Sequence, residues 1–267
     1  MSFRKNLKIV TLLLYCISFA SVVYADPFSD GMKAYQAKQY SDAIKFFKVA
    51  AQDSNAKAQY NLGYLYFNGI GADKNAEQAF KWYLKAAEQG YTKAEYNIGW
   101  LYEKGKGIRY DYTKALHWYT TAAEKGHAQA QRNLGDMYYS GRGVKQSDKL
   151  AKKWLHKAST NGNSEASYDL AVMHYQGLGA EKSYDRAMWY FKKAANKKMP
   201  SAMVTIGTMY ADGKGVKKDL IEAYKWWVLG AKHGYGNVDG KLENAERELS
   251  SEDIKKAKKL ASKWQPK

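Results

Sequence analysis

Cysteine is nearly absent. The 267 residues hold one, Cys16, in an apolar stretch near the N-terminus. The rest of the chain therefore has no disulfide framework, no thiol nucleophile and no thiolate metal site. Prolines number three, while aromatic residues make up 15%. That combination excludes a disordered chain, which is poor in aromatics and rich in proline. Acidic residues are in deficit, 26 against 43 Lys and Arg, for a formal net charge of +17. Catalytic motifs are missing too: there is no His-Glu-x-x-His, no Gly-x-Ser-x-Gly and no glycine-rich phosphate loop ending in Lys-Ser or Lys-Thr. The five histidines are scattered, whereas zinc sites cluster His, Cys or carboxylates. The sequence therefore offers no catalytic residue, no cofactor-binding residue and no metal ligand set.

The N-terminus is a different kind of text. Arg4, Lys5 and Lys8 precede an uncharged run from Ile9 to Val23, which ends in Val23, Tyr24 and Ala25. This is the pattern of a secretory signal peptide, residues 1–25, cleaved after Ala25. The run of about 15 apolar residues is shorter than the roughly 20 needed to span a bilayer, which favours a removed leader over a retained anchor. A lipid anchor on Cys16 is disfavoured by bulky Tyr15 where a small residue is wanted. Removal takes three bases and no acid, leaving 40 − 26 = +14 and no cysteine. Such a chain suits the periplasm or the exterior of a bacterium. Nucleic acid is an improbable partner in either place, despite the charge.

What is abundant is repetition. "NLGYLYFNGIG", "NIGWLYEKGKG", "NLGDMYYSGRG", "DLAVMHYQGLG" and "TIGTMYADGKG" recur at a period of 36. Gly63, Gly99, Gly135 and Gly207 keep that period, with Ala171 in the remaining slot. So do the alanines from Ala79 to Ala223, and Trp82, Trp118, Trp154 and Trp226, with Tyr190 in the fourth unit. Five units tile residues 56–91, 92–127, 128–163, 164–199 and 200–235. Each reads as two helices. Ala58, Leu62, Leu65 and Tyr66 share one face of the first. Gly63 lets the second helix approach, and the Gly-x-Gly loop then stops the first. Asn75, Asp111, Ser147, Ser183 and Asp219 are N-caps for the second helices. Those end at Gly90, Gly126, Gly162 and Gly234; Lys198 replaces that glycine in the fourth unit, ahead of Pro200, and predicts an irregular exit. A single hairpin cannot bury its aromatic face, so neighbours must stack.

The pattern resembles the Sel-one-like repeat, a relative of the tetratricopeptide repeat. The stretches that carry it best are "NLGDMYYSGRGV" from Asn133 and "DYTKALHWYTTAAEKG" from Asp111. The resemblance implies an all-α, right-handed α/α superhelical solenoid, and membership among adaptors and scaffolds rather than any one function. Residues 26–55 resemble a tetratricopeptide-like hairpin with Gly31, Tyr35, Tyr40, Ala43 and Phe47 at its centre, and cap one end. Residues 236–267 supply the other cap, a helix with Ser250 or Ser251 at its start and Ile254, Ala257, Leu260, Ala261 and Trp264 facing inward. Some cysteine-rich members bind or hydrolyse β-lactams. This chain lacks their per-repeat cysteine pair, so that activity is not carried over and a cell-wall enzyme is the weakest reading.

Two surfaces stand out. The inner face of the first helices carries Tyr60, Asn61 and Tyr64, then Tyr96, Asn97 and Trp100, then Asn133, with Arg132 in the tyrosine column. Tyr and Trp are favoured interface anchors, and the asparagines resemble those with which tetratricopeptide clamps hold a peptide backbone. The other reading of both is packing between repeats. The aromatic pattern fades after the second unit, which favours a local partner-binding site. The second surface is the loop edge, where Lys104, Lys106, Arg109, Arg142, Lys145, Lys214, Lys217 and Lys218 would align into a ridge beside helix N-termini that favour anions. Its candidate partners are an acidic protein, or an anionic envelope lipid or polysaccharide such as lipopolysaccharide phosphate; a solvated charged edge is the bland alternative. Of the histidines, His174 sits in a tyrosine column as a core substitution, His117 in an exposed column, and His127 at a helix end where a cation suits the dipole.

Overall fold

A computed structural model describes residues 26–179 and 181–266. The proposed signal peptide lies outside the described residues. Asp26 opens the first helix by accepting from the Phe28 N–H at 3.1 Å, with Pro27 in the first turn. Helices α1 (Pro27–Gln36) and α2 (Tyr40–Gln52) form the N-terminal hairpin. Five further hairpins follow: α3 (Ala56–Asn68) with α4 (Ala76–Glu88), α5 (Thr92–Lys104) with α6 (Tyr112–Glu124), α7 (Ala128–Ser140) with α8 (Asp148–Thr160), α9 (Ser164–Gln176) with α10 (Tyr184–Ala195), and α11 (Pro200–Asp212) with α12 (Leu220–Lys232). Two shorter-range additions close the stack, α13 (Asp239–Glu246) and α14 (Ser251–Lys263). From α1 to α13 each helix packs on the next, and α14 packs back on α12. No strand occurs among the described residues.

The repeat chemistry explains this order. Every first helix of the five units ends in a glycine with left-handed backbone, from Gly69 at φ 70° to Gly213 at φ 69°. Every second helix begins on one of the five cap residues, whose side chain accepts a backbone N–H. Such a cap stabilises its helix by about 1 kcal/mol. Within a hairpin, Gly63 sits against the Tyr83 ring so closely that a Cβ would come within 2.6 Å of it. Between hairpins, each loop seats its second glycine on the start of the preceding unit's second helix; Gly107 meets Ala76 and Glu77, and Gly143 meets Tyr112. Buried alanines and large rings fill the layers: Ala79, Ala115, Ala151, Ala187 and Ala223 are all fully buried.

Polar staples also link the hairpins, and they were not legible in the repeat. Gln59 and Gln131 are buried and donate back to the Ala51 and Ala123 carbonyls at 3.1 and 2.9 Å. In the second unit the column holds Glu95, which is buried and ion-paired to Lys125.

Three expectations are corrected. The fourth unit's exit is regular: Lys198 takes φ 61°, the same left-handed conformation as the glycines of its column, and Ser54 does likewise at φ 60°. Its helix α10 is merely one residue shorter, at 12. Leu260 is exposed rather than inward, because α14 turns the face of Ile254, Ala257, Ala261 and Trp264 to the stack. His127 does not close a helix. It caps the start of α7, its Nδ1 accepting from the Ala130 N–H at 3.2 Å. Burial, then nearby Lys93, holds its pKa below the ordinary imidazole value, so the unprotonated Nδ1 that the cap requires is favoured. Residues 239–246, ahead of the expected cap helix, form a further helix, α13.

Candidate partner-binding groove

The first helices of successive hairpins lie side by side, so equivalent columns form rows. Along them runs a chain of depressions that share walls. Met32, Tyr35, Tyr60, Asn61, Tyr64 and Leu65 line one of about 210 Å³. Tyr60 and Tyr64 are common to the next, of about 310 Å³, which adds Phe67, Tyr96, Asn97 and Trp100. Tyr96 and Trp100 pass into a third, of about 300 Å³, with Glu103, Arg132, Asn133 and Arg142. Asp136 links that one to a fourth, of about 310 Å³, between α7 and α9. All seven groove residues chosen from sequence thus fall along one continuous trough. Met32, Tyr35, Phe67 and Glu103 were not assigned to the groove from sequence; the first two lie in the capping hairpin.

Much of the aromatic wall is also packing. The Tyr60 ring lies 5.5 Å from Tyr83 and 5.1 Å from Tyr91, and Phe67 meets Trp100 edge-on at 5.5 Å. Tyr96 stacks on His127 at 4.6 Å. Burial raises the pKa of Tyr60, assisted by Tyr91, while the Asn97 amide beside it pulls the other way. Asn133 stands in the same relation to Tyr96. Asn61 reaches Met32 Sδ at 3.5 Å, and Asn133 Oδ1 accepts from Gln129 at 3.2 Å. The asparagines are therefore partly engaged between repeats, and of the seven residues the one left most open is Tyr64, 40% exposed.

Beyond the second unit the trough turns from aromatic to ionic. Arg132 binds Asp169 at 2.9 Å and Glu165 at 3.3 Å across the hairpin boundary, with Asp136 at 3.8 Å. Burial pushes the Asp136 carboxyl up to about 6, against the pull of Arg132. Glu103 receives the Tyr119 hydroxyl at 2.8 Å and pairs with Lys104 at 2.8 Å and Arg142 at 3.1 Å. Burial raises its pKa, but these donors outweigh it and the carboxyl titrates below its ordinary value. The fading aromatic pattern is thus the replacement of ring packing by an ion-pair network.

The loop ridge is less free than its sequence implied. Lys104 and Arg142 turn into the trough to meet Glu103, and Lys214 pairs with Asp212 at 2.9 Å. The helix N-termini behind the loops are occupied by their own caps and covered by the next loop's glycine, so they are not open anion sites. Lys106, Arg109, Lys145, Lys217 and Lys218 stay exposed or edge-lying without an ion pair among the described residues.

Stacked hairpins of this kind, with caps at both ends and a lateral trough, define an α-solenoid scaffold. The family model described as Sel1 repeat matches residues 56–91, 92–127, 128–163, 164–199 and 200–235, and the chain belongs to the Sel1 repeat family. It is similar to a Sel1 repeat protein from Oxalobacter formigenes, with 34% identity, a TM-score of 0.78, and coverage of 88% of this chain and 98% of that one. It is also similar to c5321, a protective antigen present in uropathogenic Escherichia coli strains displaying an SLR fold, at 28% identity and a TM-score of 0.76. That match covers 88% of this chain and 51% of the other, so this chain spans about half its length. None of the curated proteins matches the sequence. Sel1 repeat proteins generally act as protein–protein interaction scaffolds and are generally non-catalytic. No group of three metal-ligating side chains and no helix long and apolar enough to cross a membrane occurs among the described residues.

Proposed function

We propose that this chain is an exported scaffold of the bacterial cell envelope that holds an extended segment of a partner protein in the trough along its first helices. The observation that carries the reading is the continuity of the trough, four depressions joined through Tyr60, Tyr64, Tyr96, Trp100 and Asp136. Exposed Tyr64 and Asn68 line it, and aromatic anchors in a lined cleft are where interface energy concentrates. The leader-like residues 1–25 support export. If they are removed, N-terminal sequencing of the protein recovered from its host begins at Asp26; a start at Met1 or Ser2 in the envelope fraction contradicts cleavage. Anionic lipid or polysaccharide along the loops is the weaker reading, because three of the eight ridge cations already have carboxylate partners.

The test is capture of envelope proteins by the purified chain and by a Tyr64→Ala, Asn68→Ala variant of equal helicity. A protein retained by the first and lost by the second supports the trough. Identical capture by both, removed by modest salt, refutes it and points to the charged edge.

A further inference from the structure

A repeat protein carries its own comparison, since each unit shows what the others do without. Four departures from the 36-residue pattern converge on one place outside the trough. Column by column, Lys152 replaces the apolar Phe80, Leu116, Met188 and Tyr224. His174 replaces Tyr66, Tyr102, Tyr138 and Tyr210. Trp189 stands where the other units have Lys81, His117, Lys153 and Lys225, and Tyr190 where they have tryptophan. With His156 and Arg186, these residues line a cavity of about 360 Å³ between α8, α9 and α10. None of the six lines any depression of the trough.

The chemistry inside is one-sided. Two permanent cations, Lys152 and Arg186, line the cavity, no carboxylate does, and neither cation has an ion-pair partner among the described residues. His174 is 3% exposed, and its Nδ1 is buried without a hydrogen-bond partner. A buried polar atom left unpaired costs stability, and this one borders a cavity whose cations have no counter-charge. Burial first, then the positive charge of Lys152 and Arg186, holds His174 below the ordinary imidazole range. Beside the cations, Trp189 is 58% exposed and meets Tyr190 at right angles, 4.7 Å between ring centres. The other units hold lysine or histidine in this surface column, and the Lys193 ammonium lies 5.5 Å from the centre of the Trp189 ring.

We infer that this cavity is a binding site for a small phosphate-bearing ligand, with the phosphate held by Lys152, Arg186 and His174 and an apolar or planar remainder laid against Trp189. Arginine and lysine side by side suit phosphate oxygens, and an aromatic wall with a few convergent polar groups is the usual make-up of a ligand pocket.

The experiment is calorimetric titration of the full chain with phenyl phosphate, inorganic phosphate and uncharged benzyl alcohol. Phenyl phosphate should bind saturably, inorganic phosphate more weakly, and benzyl alcohol not at all. Two variants return the site to the pattern of its sister units: His174→Tyr, and Lys152→Met with Arg186→Gln. Each should weaken phenyl phosphate about tenfold or more, as expected for losing charge-assisted contacts, with circular dichroism unchanged. A control, Lys106→Gln with Lys217→Gln, should bind as the parent. No saturable binding up to roughly 10 mM phenyl phosphate, or equal loss in the control, overturns the site. Phosphatidic acid vesicles, set against phosphatidylcholine vesicles, separate the sources. Displacement of phenyl phosphate by the former alone identifies a lipid headgroup; failure of both, with the variant losses intact, identifies a soluble phosphoester.

Discussion

Two glycines in the left-handed conformation should respond very differently to the same substitution. Gly107, at φ 74°, is the second glycine of its loop, and a Cβ there would come 2.4 Å from the backbone carbonyl of Ala76 at the start of α4. Gly162, at φ 87°, ends the third repeat unit's hairpin and has nothing within 4 Å of where a Cβ would lie. Alanine at either site takes on the left-handed strain, about 1–2 kcal/mol. At Gly107 the methyl also collides with backbone that cannot rotate away, so the hairpins must separate; overpacking adds about 1–3 kcal/mol more. Gly107→Ala should therefore cost about 2–5 kcal/mol on these two terms, and Gly162→Ala only the strain, about 1–2 kcal/mol. The column of Gly162 already tolerates Ser54 and Lys198 at φ 60° and 61°, so Gly162→Ser should also be mild. Urea unfolding followed by far-ultraviolet circular dichroism measures both. Equal destabilisation would refute the claim that loop glycines set the spacing between hairpins.

Other consequences follow from charges inside the stack. Lys125→Met strands the buried Glu95 carboxylate and should cost about 2–4 kcal/mol; adding Glu95→Gln, the residue of the first and third units, should recover most of it in the same unfolding assay. Failure of that rescue would mean the column is not an equivalent hydrogen-bonding position. Asp136 has a folded pKa raised to about 6 by burial, so the native state holds a proton that the unfolded state releases near pH 4. Stability from this group is present below pH 4 and is lost as pH rises to 6 and above. Its side chain is about a third exposed, so screening limits the effect to about 1 kcal/mol. Asp136→Asn should flatten the unfolding midpoint between pH 4 and 6.5 relative to the parent; an unchanged difference across that range would contradict the burial argument.

Punctuation was easy to read in the sequence and three-dimensional pairing was not. The loop glycines and five N-caps act through the backbone of their own hairpin, so a fixed spacing identifies them. Gly63 and its equivalents were legible because they recur at the period of the repeat; the large side chains they admit, Tyr83, Tyr119, Leu155 and Trp227, keep the same period. The Gln59, Glu95 and Gln131 column was missed, as its partners lie in the neighbouring hairpin and its residues look like ordinary surface. Helix α13 was missed because "DGKLENAE" has no apolar stripe, with Ala245 its single buried residue. His127 was misread because a helix C-terminus and the next N-cap are only a few residues apart in short hairpins. Of the trough, the tyrosine and asparagine columns were visible, but the ion network at Arg132, Asp136 and Asp169 joins three columns that no single period connects.

The central claim is that a partner segment lies in the trough along the first helices. The most direct measurement places a photo-crosslinking phenylalanine derivative at Tyr64 and, in a second strain, at Lys81 on the exposed face of α4, and irradiates the living host. The account predicts one discrete adduct from position 64, mapped to an extended segment of a single protein, and none from position 81. No adduct at 64, or the same adducts from both positions, would contradict it.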